Sequence, residues 1–320
     1  MNEHFIRNIE IKNFKCFEDF KAEGFGRVNL IGGKNNVGKT AFMEACYINA
    51  YSQDIKGFIF SLSTIKYMRE NLNILSDSSN HDDKSFIEQS DKILVNTNKN
   101  NIHFKIDEKD GIKKYHFEFN KTKLIVNVND FSFSMSEDEN IQFIDNFGLS
   151  NSEIINNYSA IQKRDEEDYL NNLLHQFDSN INAFKIIGDS PQCRIDKEYL
   201  EITEFGDGIR HLVSIVTSLY MAENGYLFID ELDNGIHYTM LDELWKVILE
   251  VSAKLNVQIF ATTHSKECIE SYAKVAKKLE EKDEDITYTY LTRLKDNSLY
   301  ASIYTKDILE TAIQQEHEVR

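Results

Sequence analysis

Apolar and polar residues alternate near the N-terminus, where Ile9, Ile11 and Phe14 are separated by polar positions. Alternation of this kind predicts a half-buried strand. A second predicted strand over 27–31 ends in a glycine pair, and residues 40–51 after it have the spacing of a helix. The pattern therefore predicts a strand, a glycine-containing loop and a helix in succession.

Two continuous apolar runs in the last third of the chain predict strands that are buried on both faces. They are 226–229 and 257–261, and the residues between them, 236–255, have helical spacing. Because a helix that connects two such strands places them side by side in parallel, we expect neighbouring strands of one parallel sheet. A further amphipathic helix is predicted over 209–221, and a hairpin is predicted near Asn297.

The middle of the chain carries weaker patterns. Three alternating runs over 103–106, 115–119 and 124–128 predict an antiparallel meander. Residues 151–178 contain neither glycine nor proline and repeat their apolar positions at helical spacing, so a helical lobe is expected there. The charged run 163–168 inside this lobe is interpreted as a solvated helix face.

The composition favours an α/β protein with long regular elements. Of the 320 residues, 41% are hydrophobic, only 1 is proline and 13 are glycine. These values exclude collagen-like and low-complexity chains and disfavour turn-dense β-sandwiches. With 36 basic and 53 acidic residues the net charge is −17. This balance disfavours nucleic acid as a general partner and leaves only a local basic patch for such contact.

The cysteines and the apolar runs bear on the cellular compartment. The four cysteines lie far apart without a C-x-x-C pair, so we expect reduced thiols rather than a zinc site or a disulfide framework. The N-terminus lacks the pattern of a signal peptide, and no membrane-length apolar run occurs. We therefore expect a cytoplasmic protein without membrane contact.

Residues 33–40 read GKNNVGKT and match the phosphate-binding pattern G-x-x-x-x-G-K-[ST]. Glycines let successive backbone N–H groups converge on phosphate oxygens at a helix N-terminus, where the helix dipole also favours negative charge. The pattern predicts that Lys39 bridges the β- and γ-phosphates and that the Thr40 hydroxyl group binds Mg²⁺. The predicted nucleotide-binding residues of this loop are Gly33, Asn35, Asn36, Val37, Gly38, Lys39 and Thr40.

An acidic pair after the strand over 226–229 complements this loop. Asp230 is predicted to hold Mg²⁺ through its water shell, and Glu231 to accept a proton from the attacking water. His264 ends the other apolar strand, where α/β proteins place ligand-contacting groups, and it is predicted to sense the γ-phosphate. Without the loop, solvent-facing carboxylates and a structural histidine would be the simpler interpretation.

Residues 205–208, Phe-Gly-Asp-Gly, precede the helix predicted over 209–221. They offer a second helix N-terminus with a flexible backbone, so Gly206, Asp207 and Gly208 are candidates for contact with another phosphate group. An ordinary turn at the start of a helix is the alternative interpretation.

The order of these motifs resembles the ABC-type ATPases of the SMC/RecF branch, and most of all the stand-alone ATPases of the OLD family. The stretches that carry the resemblance are 9–17, 33–40, 205–210, 228–237, 262–265 and the closing stretch 312–320. The resemblance implies an ABC-type P-loop NTPase with a mainly parallel core sheet, an N-terminal antiparallel β part and an inserted helical and β lobe. It assigns 1–51 and 201–320 to the two halves of the ATPase core and 52–200 to the inserted lobe.

The resemblance also implies how the motifs act. ATP and Mg²⁺ are the expected ligands, and two copies form a head-to-head dimer, which could enter a higher assembly. In that dimer Gly206, Asp207 and Gly208 of one copy close on the γ-phosphate held by Lys39 of the other. ATP binding would drive association and hydrolysis would release it.

The sequence departs from the ABC pattern in several places. No serine precedes the glycine of the signature position, and the middle region is too short for the long coiled coil of SMC proteins. The glutamine of the Q-loop cannot be assigned among Gln89, Gln142, Gln162 and Gln176. Too few residues follow His264 for the Toprim nuclease domain of many OLD proteins. The acidic run 283–285 is therefore interpreted as a solvated turn, and any nuclease as a separate chain.

Two functions of different kinds remain open at this point. The first is an ATPase that switches a separate effector protein, a nuclease or a toxin, in bacterial anti-phage defence, as the resemblance suggests. The second is a static ATP-binding scaffold that holds such an effector, with hydrolysis incidental. A RecF-like DNA-repair ATPase is disfavoured by the acidic charge balance. The missing N-K-x-D motif disfavours a GTPase, and the missing signature serine disfavours a transporter subunit.

Overall fold

The computed structural model describes residues 4–74, 92–109, 112–127, 140–280, 282 and 285–315. The chain forms two compact units, and each is built from separate stretches of sequence. The first comprises 1–24, 35–138 and 291–302, and the second comprises 25–34, 139–290 and 303–320. The division at residues 51 and 200 drawn from the sequence stays a prediction.

The first unit is built on an antiparallel sheet with two helices. Its elements are β1 (Asn8–Phe14), β2 (Phe17–Glu23), α1 (Lys39–Tyr51), α2 (Ile55–Ile74), β4 (Lys92–Thr97), β5 (Asn101–Lys109), β6 (Ile112–Phe119) and β7 (Thr122–Asn127). The strand order is β2-β1-β4-β5-β6-β7, with every neighbouring pair antiparallel. The predicted N-terminal strand and the antiparallel meander are both confirmed.

The second unit contains the strands that the continuous apolar runs predict. Its elements are β3 (Val28–Gly33), β8 (Ile141–Ile144), α3 (Asn151–Gln162), α4 (Glu167–Phe177), β9 (Ile181–Ile187), β10 (Ser190–Ile195), β11 (Glu198–Glu201), α5 (Asp207–Met221), β12 (Tyr226–Ile229), α6 (Leu241–Leu255), β13 (Gln258–Thr262), α7 (Lys266–Lys278) and α8 (Lys306–Gln314). The strands β14 (Ile286–Arg293) and β15 (Leu299–Thr305) form a hairpin whose residues are divided between this unit and the first. A three-stranded antiparallel sheet has the order β11-β10-β9.

The main sheet of the second unit has the order β15-β14-β3-β13-β12-β8, and β3, β13, β12 and β8 run parallel. Strands β3, β12 and β13 are buried along their whole length, because helices with apolar faces pack against them. Trp245 on α6 and Tyr272 on α7 lie in that core with ring centroids 4.5 Å apart. The two predicted strands are parallel neighbours, as expected.

Two local predictions were wrong in detail. The connecting helix was predicted from residue 236, but α6 begins at Leu241, after a turn of 3-10 helix over Tyr238–Met240. The charged run 163–168 was predicted to be a helix face, but its residues 163–166 form the turn between α3 and α4, and only Glu167 and Asp168 are helical. In that turn Glu166 accepts hydrogen bonds from the Tyr220 hydroxyl group and from Lys254 Nζ, both at 2.6 Å. The run therefore ties the helical lobe to the core of its own unit.

Some sequence predictions fall on residues outside the described part of the chain. They concern Gln89, residues 283 and 284 of the acidic run, and the final stretch after residue 315. Within the described ranges, no helix is both long and apolar enough to cross a bilayer.

Candidate nucleotide-binding and hydrolytic site

The phosphate-binding loop joins the end of β3 to the start of α1, as the motif requires. Gly33 and Gly38 have φ angles of 136° and 101°, which favour glycine. A Cβ atom on Gly38 would also lie 2.5 Å from Cys16 Sγ. No side chain caps α1, and its first turn carries no acidic residue, so the helix N-terminus stays electropositive. This local geometry suits an anion.

The parallel strands of the second unit bring three motif positions to one edge of the sheet. Gly33 ends β3, Asp230 follows β12, and His264 follows β13 by two residues. The register pairs Ile229 with Ala261, so the strands end together. Because ligands of parallel α/β sheets bind at the carboxyl ends of the strands, this edge is the expected place for a nucleotide.

Thr262 holds the acidic pair in place. Its Oγ1 donates to Asp230 Oδ1 at 2.6 Å and accepts from the backbone N–H of Glu231 at 2.8 Å. Glu231 has a φ angle of 52°, a left-handed conformation that costs a non-glycine residue about 1–2 kcal/mol. The Leu232 N–H donates to the Thr262 carbonyl oxygen at 2.9 Å and keeps the chain in this turn. The threonine thus fixes the Asp230 carboxylate and the Glu231 backbone relative to β13.

Glu231 and His264 meet at the surface of this edge. Glu231 Oε1 lies 3.3 Å from His264 Nε2, and the two side chains are 42% and 40% exposed. Water can therefore reach the carboxylate while the imidazole orients it. A carboxylate in this position can act as a general base toward a water molecule.

The structure places the residues 205–208 at the start of α5, which begins at Asp207 without a side-chain cap. Gly206 has a φ angle of 77°, and apart from Gly206 and its two chain neighbours no described residue has an atom within 4 Å of a Cβ atom built on it. The loop lines a cleft of about 560 Å³. The other lining residues come from the end of α4, the first turn of α5 and the chain after β12, and they are Phe177, Asp178, Ser179, Ile209, Gly235, Ile236, His237 and Met240.

Sequence reasoning missed Asp145, which follows β8 directly beside the strand of Asp230. The register pairs Ile144 with Ile229, and the Asp230 N–H donates to the Ile144 carbonyl oxygen at 2.8 Å. Burial raises the pKa of the Asp145 carboxyl group, as do the charges of nearby carboxylates, although the Phe147 N–H donates to Oδ1 at 2.8 Å and lowers it. The sequence pattern that could have revealed Asp145 is the short, mainly apolar run 141–144 directly before it, which resembles the run of β12 before Asp230.

Three of the candidates for the glutamine of the Q-loop lie in regular secondary structure. Gln142 lies within β8, where Asn157 Nδ2 donates to its Oε1 at 2.8 Å. Gln162 ends α3 and Gln176 lies in α4. The glutamine of the Q-loop therefore stays unassigned.

The oxygen donors of these motifs fit a magnesium ion that binds together with nucleotide phosphates. Such an ion usually takes only one or two carboxylates from the protein. The chain offers the Asp230 carboxylate after β12 and the Thr40 hydroxyl group in the first turn of α1, and their binding of one shared ion stays a prediction. In the part of the chain that the structure describes, no group of three or more His, Cys, Asp or Glu side chains forms a metal site.

The chain is similar in sequence to known ATPase proteins. Residues 46–269 match the family described as AAA ATPase domain, a match that begins after the phosphate-binding loop. A protein of Helicobacter pylori (strain ATCC 700392 / 26695) named ATP/GTP phosphatase is 25% identical over 83% of this chain and 86% of its own length. An uncharacterized protein of Methanocaldococcus jannaschii is 45% identical over 40 residues, 12% of this chain and 18% of its own.

The solved structures that are similar to this chain include SMC heads. One is bound to the C-winged helix domain of ScpA, with a TM-score of 0.56 and 12% identity over 97% of this chain and 99% of that one. Another has an extended coiled coil and is bound to the C-terminal domain of ScpA derived from Pyrococcus furiosus, with a TM-score of 0.54 and 10% identity over 98% and 99%. This likeness shows the fold, so the predicted ABC-type P-loop fold with its parallel core sheet is confirmed.

Proposed function

Because this chain belongs to the AAA ATPase domain family, we propose that it hydrolyses ATP with Mg²⁺ between two copies of itself and thereby switches a separate effector protein. The observation that carries the proposal is the meeting of Asp230, Glu231 and His264 at the sheet edge where β3 ends in Gly33. Together with the phosphate-binding loop, these residues provide the phosphate-binding, metal-holding and water-positioning groups that phosphoryl transfer to water requires.

The proposed roles divide between holding and reacting groups. The loop 33–40 and its Lys39 hold the triphosphate, and Thr40 and Asp230 hold Mg²⁺. Bound Mg²⁺ neutralises charge on the β- and γ-phosphates. Glu231 takes the proton of the attacking water as its oxygen bonds to phosphorus and the bond to the β-phosphate oxygen breaks. His264 Nε2 orients Glu231 before the reaction and contacts the γ-phosphate.

The second copy is proposed to contribute the residues 206–208. The uncapped N-terminus of α5 and the open space around Gly206 support contact with a phosphate group from outside the subunit. No serine precedes Gly206, so backbone N–H groups would make the contact. The SMC heads of the similar structures are bound to ScpA domains, and we propose a separate protein partner here in the same way.

The proposed biological role follows the resemblance to the stand-alone ATPases of the OLD family. In that role the partner is a nuclease or toxin of an anti-phage system in the bacterial cytoplasm. A static scaffold for the same partner is the alternative. A DNA-repair clamp is a third reading, and duplex binding by the purified protein that weakens steeply with salt would favour it.

The proposal is tested by phosphate release from ATP and GTP. We expect Mg²⁺-dependent release from ATP that stops in EDTA, because Mg²⁺ offsets the phosphate charge. Asp230→Asn should lower the rate about a hundredfold. Asp196→Asn, in the turn between β10 and β11, is the matched control and should keep the rate. If phosphate is released faster from GTP than from ATP, GTP would be the preferred substrate instead of ATP. Phosphate release that persists in EDTA would contradict the proposed chemistry.

A glycine of the proposed dimer interface gives a further prediction. A Cβ atom on Gly208 would lie closer than 3.0 Å to the Gly235 carbonyl oxygen. Gly208→Ala should therefore displace the start of α5, with a loss of about 1–3 kcal/mol in the free energy of unfolding. ATP hydrolysis should fall at least about tenfold if this displacement costs as little as 1.4 kcal/mol in the transition state.

The matched control for Gly208→Ala is Gly188→Ala. Gly188 has a φ angle of 61° in the turn before β10, with no described atom within 4 Å of a built Cβ. Its replacement should cost about 1–2 kcal/mol for the left-handed backbone. Urea unfolding measures both losses, and Gly188→Ala should keep hydrolysis at the parental rate. Equal hydrolysis in the two variants would argue against a role for Gly208.

A further inference from the structure

We infer that the hydrogen bond between Thr263 and Asp233 positions Gly208 of the signature loop, residues 205–208, and so supports the nucleotide that the other copy holds. The inference rests on the proposed dimeric ATPase. It makes Thr263 and Asp233 positioning residues, since neither touches the reacting atoms. All the contacts that carry it lie within the second unit.

The first step is the fixed geometry of Thr263. The residue is 1% exposed and directly precedes His264. Its Oγ1 donates to Asp233 Oδ1 at 2.6 Å and accepts from the Ser265 N–H at 3.0 Å. Its own N–H donates to the Ile31 carbonyl oxygen of β3 at 3.1 Å. The hydroxyl group is therefore held by the sheet and holds Asp233 in turn.

The second step leads from Asp233 to the signature loop. The Ile236 N–H donates to the Asp233 carbonyl oxygen at 3.1 Å, which closes a turn around Gly235 with its φ angle of 70°. A Cβ atom on Gly235 would lie 2.9 Å from the Gly208 backbone nitrogen. The two glycines thus meet backbone to backbone, with no side chain between them to absorb a shift.

The third step concerns which nucleotide each residue serves. In the proposed dimer His264 acts on the nucleotide of its own copy, whereas Gly208 acts on that of the other copy. Thr263 directly precedes His264 in the chain. It is connected to Gly208 through the contacts of Asp233 and Gly235. Loss of its hydroxyl group should therefore weaken the dimer without weakening the binding of ATP to a single copy.

The experiment uses the full chain with Glu231→Gln, in which the ATP-bound dimer should persist. We expect Thr263→Val in this background to raise the dissociation constant of the ATP-dependent dimer at least about tenfold, because the lost hydrogen bond to a carboxylate contributes 1.5–3 kcal/mol. Sedimentation velocity over a concentration series measures this constant. The affinity of the dilute monomer for ATP should change less than about twofold.

Three further variants separate positioning from general damage. Thr263→Ser keeps the donor and should restore the parental dimer. Thr263→Ala removes the hydroxyl group without a new methyl contact and serves if Thr263→Val fails to fold. Asp233→Ala should match Thr263→Val, and the double variant should be no worse than either, because both remove one bond.

The outcomes distinguish the inference from the proposed function. Unchanged dimer dissociation in Thr263→Val or Thr263→Ala overturns the inference and leaves the ATPase dimer intact. A weakened affinity of the monomer for ATP by the same factor also overturns it, because the effect would then lie within one copy. Absence of any ATP-dependent dimer in Glu231→Gln itself overturns both.

Discussion

Lys39→Ala is expected to lower the affinity for ATP about ten- to hundredfold. The ammonium group of this residue is the one side-chain cation that the phosphate-binding pattern places on the β- and γ-phosphates. The loss of a charge-assisted hydrogen bond reduces the free energy of binding by about 1.5–3 kcal/mol, which corresponds to a ten- to hundredfold lower affinity. Isothermal titration calorimetry with ATP and Mg²⁺ measures the effect.

Lys34→Ala is the matched control for this variant. Lys34 is an exposed residue of the same loop at a position that the pattern leaves variable. Its replacement removes the same charge from the same segment, so a general electrostatic effect of the loop would appear in both variants. We expect the affinity of Lys34→Ala for ATP to stay within a few fold of the parent. Equal affinity in Lys39→Ala and the parent would remove the basis of the nucleotide site.

Glu231→Gln is expected to stop hydrolysis while ATP still binds. The amide keeps the shape of the side chain but cannot take a proton from water, and the loss of a general base lowers rates about 10²- to 10⁴-fold. Because hydrolysis is what releases the proposed dimer, a long-lived dimer should accumulate with ATP. Multi-angle light scattering in the presence of ATP and Mg²⁺ should report twice the monomer mass of 37.3 kDa.

The control for Glu231→Gln is Glu250→Gln on the exposed side of α6. It makes the same chemical change away from the strand ends and should keep parental hydrolysis. An unchanged monomer mass in Glu231→Gln with ATP would refute the ATP-sandwiched dimer. The variant also distinguishes a switch from a scaffold. A scaffold would bind its effector as the parent does, whereas a switch would stay in its ATP-bound state and would not complete the cycle on the effector.

Local sequence was sufficient for the elements that carry the phosphate loop and the acidic pair. The run Tyr226–Ile229 is apolar at every position, and a short run of this kind is typical of a strand covered on both faces. The glycines of the loop 33–40 indicate by themselves where the backbone adopts positive φ angles. These features depend on neighbours in sequence, so no knowledge of packing was needed to predict them.

Other parts of the site depend on which strands become neighbours. Asp145 gains its place only because β8 pairs with β12, and the short run before it gave no sign of that pairing. Thr262 and Thr263 look alike in sequence, yet one binds Asp230 and the other binds Asp233. The alternation of side chains along an extended chain decides this difference once β13 lies beside β12.

The amino-acid sequence by itself determined the phosphate-binding loop, the parallel strands that flank it and the order of the motifs, because backbone conformation and apolar periodicity are local properties. Only the tertiary structure decided that Thr262 orients the acidic pair, that Glu231 faces His264, and that Gly235 meets Gly208. These contacts join residues far apart in the chain. Their physical cause is the packing of strands and turns into one sheet edge, which a linear pattern does not encode.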